Sequence, residues 1–333
     1  MKLLVTGGAG YIGSIVAQHL LAGGHEVVVL DDLSRGHREA VSTKAEFVCV
    51  DLLDHEQLED AVRRGGFDAV LHFAALSLVG ESGSHPERYY RTNVGGTQNL
   101  LEAMRGAGVR QLVFSSTAAV YGEPREVPIP ETAPTLPTNT YGRSKLAVDW
   151  MIGDFCTAHG LGAVSLRYFN VAGASHGLGE DHDPETHLIP NILRAALGAN
   201  EFVEVYGTDY ATPDGTAIRD YIHVDDLAAA HVLALAAIEP GRHRVFNLGN
   251  GTGFSVREVL EASRTVTGVN IPTREAPRRR GDPPTLVASS ELIRAELGWK
   301  PGKALEEMVA DAWAFAQAHP NGYSERPVDL AGE

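Results

Sequence analysis

The first stretch of the chain constrains its fold more than any other. Leu3 to Val5 form an apolar run that breaks into Gly7, Gly8, Gly10 and Gly13, and a helical pattern starts at Tyr11. Gly8, Gly10 and Gly13 fit G-x-G-x-x-G, and Gly7, Gly10 and Gly13 fit the looser G-x-x-G-x-x-G. In either spacing, glycines allow a tight turn, close approach of backbone N–H groups to a pyrophosphate, and close helix-to-strand packing. The helix N-terminus then favours the anion. Glycine-rich strand-to-helix turns are common, so context decides. A second apolar run, Glu26 to Leu30, ends in Asp31-Asp32, where an acid would hold a ribose hydroxyl. The stretch therefore reads as a dinucleotide site.

Alternation of strands and helices continues through the first half. Further strands are expected at Glu46–Val50, Ala69–Phe73, Gln111–Ser115 and Val164–Arg167, with helices at Tyr11–Ala22, His55–Arg64, Pro86–Arg105 and Gly142–His159. Apolar strands alternating with helices predict an α/β fold, a Rossmann-type doubly wound parallel sheet. Ligands then gather at the carboxyl ends of the strands, where Asp31, Asp51, Phe73, Ser115 and Tyr168 fall. After Asn170 the alternation loosens. Residues 173–190 read as a long loop, Arg244–Leu248 as a strand returning to the main sheet, and Ser255 with Glu258 as a capping box. The expected division is a cofactor domain (1–169 plus about 222–250) and a smaller, discontinuous α+β substrate domain (about 170–221 plus 251–333). The tail after Pro320 reads as polar and frayed.

Composition excludes several partners. The net charge of −15 argues against a nucleic-acid footprint or an anionic membrane surface. No stretch approaches a transmembrane span, and Met1 leads almost directly into the first strand, so neither a membrane anchor nor a targeting peptide is expected. Cys49 and Cys156 are expected to be buried thiols of a cytoplasmic protein. An acidic chain that binds anionic nucleotides must concentrate its arginines locally.

Tyr141-Gly142-Arg143-Ser144-Lys145 carries the second chemical signal. Residues four apart on a helix share a face, so the Lys145 ammonium is expected to lower the Tyr141 phenol from about 10 toward neutrality. Such a phenolate can take a proton from a hydroxyl that is losing hydride. The fifth strand ends Ser115-Ser116-Thr117 and brings a hydroxyl to share that proton.

These residues resemble a known family. Thr6-Gly7-Gly8-Ala9-Gly10-Tyr11-Ile12-Gly13, Tyr141-x-x-x-Lys145 and Arg167-Tyr168-Phe169-Asn170 are similar to the extended short-chain dehydrogenase/reductase family. Pro184-Glu185-Thr186-His187-Leu188-Ile189-Pro190 matches as well, and more narrowly Asp214-Gly215-Thr216, Arg219-Asp220-Tyr221-Ile222-His223-Val224 and Ala276-Pro277-Arg278-Arg279 resemble its UDP-glucose (UDP-galactose) 4-epimerase branch. The resemblance covers nearly the whole chain. It implies NAD contacts at Gly7, Gly10, Tyr11, Ile12, Gly13, Asp31, Asp51, Leu52, Phe73, Ala74, Ala75, Asn93, Ser115, Tyr141, Lys145 and Phe169. It implies substrate contacts at Thr117, Asn170, His187, Leu188, Tyr206, Arg219, Arg279, Asp282 and Leu286, the last setting the pocket wall. The implied reaction interconverts UDP-glucose and UDP-galactose, with UDP-N-acetylhexosamines as weaker substrates. Tyr141, Thr117 and Lys145 would be catalytic, no metal would take part, and two chains would pair through Pro86–Arg105 and Gly142–His159.

Arg219 and Arg279 suit a diphosphate, whereas Arg278 and Arg280 read as a solvated basic run. Two positions depart from the commonest pattern: Ser77 stands where some members have lysine, and Thr117 where others have serine. His176, His182 and His187 lie among acids, but their spacing matches no helical ligand pair and no cysteine is near, so a polar loop is the stronger reading. Arg35 would suit NADP, but Asp31 opposes a 2′-phosphate and favours NAD. Nucleotide-sugar 4,6-dehydratases carry an acid pair after the catalytic hydroxyl, whereas Thr117 is followed by Ala118-Ala119-Val120. A non-catalytic NAD-sensing module would not need Tyr141 and Lys145 together.

Overall fold

The computed structural model describes residues 1–279 and 282–323. The expectations for Arg280 and for the tail from residue 324 lie outside the described residues. The first half alternates as its apolar pattern requires: β1 (Lys2–Thr6), α1 (Tyr11–Ala22), β2 (Glu26–Asp31), β3 (Glu46–Cys49), α2 (His55–Gly65) and β4 (Ala69–His72). A short α3 (Val79–Ser84) and α4 (Pro86–Tyr89) lead through a π-helical segment, Tyr90–Gly95, into α5 (Gly96–Ala107). β5 (Gln111–Thr117), α6 (Thr140–His159) and β6 (Gly162–Tyr168) follow. The helix expected over Pro86–Arg105 is therefore one continuous run with a π segment inside it.

The second half holds β7 (Asn170–Ala172), α7 (Leu188–Ala196), β8 (Val203–Tyr206), β9 (Ile218–Arg219), β10 (Tyr221–His223), α8 (Val224–Ala236) and β11 (His243–Leu248). Then come β12 (Phe254–Ser255), α9 (Val256–Thr267), β13 (Thr273–Ala276), β14 (Thr285–Leu286), α10 (Glu291–Leu297) and α11 (Leu305–Ala318). Ser255 and Glu258 form the capping box of α9, with bonds of 3.1 and 2.7 Å.

The main sheet has seven parallel strands in the order β11-β6-β5-β4-β1-β2-β3. Its side chains alternate with a period of two. Leu3, Val5, Val27, Val29 and Leu71 face α1 and α8 on one side. Leu4, Val28, Leu30, Val70 and Phe114 face α2, α5 and α6 on the other. Burial on both faces is why these strands read as unbroken apolar runs. A third core joins α7, β8, α9 and α11 through Ile192, Val205, Leu260 and Met308. β3 is the sheet's edge strand, and this corrects one expectation. Cys156 is buried in the second core, but Cys49 on that edge is exposed. Among the described residues, no helix is long and apolar enough to cross a membrane.

Candidate active site

The strand order reverses between β1 and β4, and the glycine loop sits at that switch point. Gly7 has φ +70°, and a Cβ there would lie 2.4 Å from the Ala74 nitrogen. A Cβ on Gly13 would lie 2.2 Å from the Gly7 oxygen. Packing within the chain thus requires glycine at both positions. At Gly10 the nearest atom to an added Cβ is the Gly7 oxygen at 3.4 Å, so the chain itself barely crowds that position. The α1 N-terminus opens there, and its N-cap Gly10 offers no side-chain acceptor. The amides stay available to an anion.

Asp31 closes β2 where the sequence placed it. Its carboxylate accepts the Ala9 amide at 3.0 Å and the Leu33 amide at 2.9 Å, although burial holds its pKa above the usual carboxylate range. Arg35 turns away from a phosphate-binding role. It donates to the Asp183 carbonyl at 2.5 Å and faces Glu81 at 3.4 Å. Asp51 lies exposed beyond β3 and caps Leu53, while Leu52 is buried. Beyond β4, the amides of Phe73 and Ala74 donate to the Thr6 carbonyl, which ties this turn, with Ala75, to the glycine loop. Tyr11 donates its hydroxyl to the Gly173 carbonyl at 2.6 Å, and Ile12 packs against the first core.

Asn93 lies buried in the π segment. Its side chain accepts the Leu76 amide at 2.8 Å and donates to the Leu76 carbonyl and Ser144 Oγ, both at 3.0 Å. Both amide hydrogens are therefore used to hold the turn after β4 against α6. Sequence reasoning gave no role to His72, which extends this scaffold. Thr97 donates to the Asn93 carbonyl, so His72 Nε2–H donates to Thr97 Oγ1 at 2.8 Å. His72 Nδ1 is left to accept from Thr6 at 2.6 Å. Burial, with Lys145 nearby, depresses His72 to about 3 and keeps it neutral.

Thr117, Tyr141 and Lys145 come together at the end of β5 and the start of α6. Asn139 caps α6, accepting the Gly142 amide at 2.8 Å. Thr117 Oγ1 accepts the Ala119 amide at 3.2 Å, which leaves its proton for the Tyr141 oxygen. The phenol shift runs opposite to the sequence expectation. Burial lifts Tyr141 to about 12 and outweighs the bond from Thr117. Burial also lowers Lys145 to about 7, although Asp149 one turn on works against it. The Lys145 ammonium lies 4.5 Å from the Phe114 ring centre. Ser115 spends its hydroxyl on Tyr168 rather than on the reacting oxygen.

The remaining residues form an arm beside this centre. Phe169 and Leu286 both pack against the buried cluster of Val120, Tyr121, Ile129 and Leu146. Leu286 pairs in register with Arg219, which joins β14 to β9 within the arm. Arg219 forms an ion pair with Asp282, and the Arg279 guanidinium stacks 4.2 Å over Tyr206. Arg278 stays exposed, as expected of a solvated basic run, while it pairs with Asp209 at 2.7 Å and stacks on Tyr210. Asn170 donates both its backbone and side-chain N–H to the Asp220 carbonyl. Leu188 opens α7 and packs on the third core.

His187 precedes α7 and faces Glu180 and Glu185 at 2.8 and 2.9 Å. His182 joins them, 3.1 Å from Glu180. Burial alone would lower both imidazoles, but the carboxylates hold His182 up at about 9 and His187 at about 10. His176 is not part of this cluster; its ring lies 5.6 Å from that of His19, which pairs with Asp225. Glu180 escaped sequence reasoning because residues 180, 182, 185 and 187 share no helical or strand period.

A glycine loop at the switch point, a hydroxyl–phenol–amine trio beside it and a basic arm agree with the similarities of the chain. It is 59% identical to a UDP-glucose 4-epimerase of Streptomyces lividans, over 98% of this chain and 99% of that one. A solved UDP-glucose 4-epimerase structure is 48% identical with a TM-score of 0.94, covering 98% of this chain and 100% of the other. The UDP-glucose 4-epimerase of Brucella ovis, solved in complex with NAD, is 46% identical with a TM-score of 0.90, covering 94% and 97%. The profile of the NAD dependent epimerase/dehydratase family matches residues 3–249. The resemblance read from the motifs is thereby borne out, and the chain belongs to that family.

Proposed function

We propose that this protein is an NAD-dependent epimerase that interconverts UDP-glucose and UDP-galactose at hexose C4. The observation that carries the reading is the contact of Thr117 with Tyr141 beside the glycine loop, with Lys145 one turn along α6. The cradle fits a dinucleotide: Gly7 and Gly13 are required by packing, whereas Gly10 is left for a pyrophosphate to approach. Held by this cradle and Asp31, NAD would supply a reversible acceptor for the hydride of the sugar's C4 and a positive ring near Tyr141.

Tyr141 as phenolate takes the proton of the sugar 4-hydroxyl and gives it back to the product. Thr117, with its oxygen fixed by the Ala119 amide, donates toward Tyr141 and stabilises that phenolate. Lys145, one turn along α6, would hold the nicotinamide ribose and, when protonated, the phenolate's charge. Arg219 and Arg279 hold the diphosphate while the sugar turns, each first giving up its partner in the chain, Asp282 or the Tyr206 ring. Asp31 takes the adenosine ribose and opposes a 2′-phosphate, while Arg35 is engaged by the Asp183 carbonyl and Glu81.

Leu286 sets the width of the sugar pocket, and its packing against the same buried cluster as Phe169 supports that role. Leu286→Tyr should suppress turnover of UDP-N-acetylgalactosamine and Leu286→Ser should raise it. The readout is its kcat/KM against that of UDP-galactose, and a constant ratio removes Leu286 from specificity. The protein acts in the cytoplasm, and its two regions are the cofactor and nucleotide-sugar domains with the boundaries read from the sequence. Incubation with UDP-galactose, followed by product analysis, tests the whole reading. UDP-glucose is the expected product, and a 4-keto-6-deoxy sugar would mark a dehydratase instead.

A further inference from the structure

We propose that Glu180, His182, Glu185 and His187 form a binding site for a first-row divalent cation of the zinc type, one that braces the loop between β7 and α7. The four residues offer one donor atom each, and these atoms all lie within 4.8 Å of one another. The Nδ1 atoms of His182 and His187 lie 3.1 and 2.8 Å from the same Glu180 oxygen. They lie 3.8 and 2.9 Å from the two oxygens of Glu185. Tetrahedral zinc with bonds of about 2.0–2.1 Å requires donors on the order of 3.3 Å apart, within this spread. Two imidazoles and two carboxylates suit zinc, cobalt or nickel rather than the all-oxygen shells of magnesium or calcium. Two carboxylates also balance the charge of a divalent ion.

The site is partly set before any ion arrives. The Glu185 oxygen nearest His187 accepts the backbone amides of Thr186 and His187, both at 2.7 Å, which orients that carboxylate. A cavity of about 340 Å³, lined in part by Glu180, His182 and Glu185, opens beside the cluster and gives an ion a way in. The same loop receives His37 on the Asp181 carbonyl and Arg35 on the Asp183 carbonyl. An ion here would fix the segment that joins the loop after β2 to the start of α7. The role is structural, because the epimerisation itself needs only hydride and proton transfer.

The test uses the purified full chain, treated with chelator, exchanged into clean buffer and titrated with zinc chloride. Metal retained after gel filtration is measured by mass spectrometry. About one equivalent per chain is expected in the wild type, with affinity at least tenfold weaker in His182→Ala and Glu180→Gln. His176→Ala, which removes the separate cluster with His19 and Asp225, should keep the equivalent. In the wild type, cobalt chloride should give the intense visible bands of a four-coordinate ion, a readout that needs no variant to fold. The proposal is overturned if the wild type holds no more zinc than His182→Ala. It is equally overturned if His176→Ala is the variant that loses the metal.

Discussion

Tyr141 shows what a single position can and cannot reveal. Its spacing from Lys145 is plain in the sequence, and the two residues do share one end of α6. The sign of its shift is not, because spacing reports a neighbouring charge but not how much water burial removes. The same limit hid the bond between Ser115 and Tyr168 and the full engagement of Asn93. Tyr141→Phe should lower kcat by about two to four decades while leaving bound NAD unchanged. Turnover and the nucleotide released on denaturation, measured on one sample, check both parts. Lys145 predicts a pH effect on stability. Its folded pKa is about 7, below the ordinary 10.5, so between these values the unfolded chain holds a proton that the folded chain lacks. Stability from this group must rise with pH across that window. In cofactor-stripped protein, the urea midpoint of the wild type relative to Lys145→Met should climb from pH 7 to 9.5. A flat difference would mean that Lys145 keeps its ordinary proton affinity.

Elements were legible where one pattern dominated. The strands of the main sheet are apolar throughout because both faces are covered, and all seven were read from runs that start or end within two residues of the observed bounds. The π segment was not legible, since widening one turn of a helix leaves the apolar phase of Pro86–Arg105 almost unchanged. Its effect is large, for it carries Asn93 into the scaffold behind the cofactor loop. Asn93→Ala should strand the Leu76 amide and carbonyl and cost about 1–3 kcal/mol. Denaturant unfolding measures that loss, and cofactor content after purification should fall with it. Cys49 failed as a buried thiol for a different reason. Strand order is a tertiary fact, and no local pattern declares β3 the edge.

At the scale of the molecule, the run from α4 to α5 and the helix α6 expose large apolar side chains. Tyr90 is 43% and Trp150 65% exposed. We infer that two chains pair there as a homodimer, because an apolar face of this kind favours a partner. Trp150→Arg should convert a dimer to monomers in light scattering without altering the far-ultraviolet dichroism, and an unchanged mass would move the interface elsewhere. Strand order also has a consequence for synthesis. β6 meets β5 along one edge, but its other edge is covered only by β11, which ends at Leu248. While a ribosome is still making the intervening residues, the growing chain presents a bare parallel strand with unpaired amides and carbonyls. The nascent protein is most vulnerable to sticking to its neighbours during that interval, and a chaperone that shields strand edges would act between the emergence of β6 and that of β11.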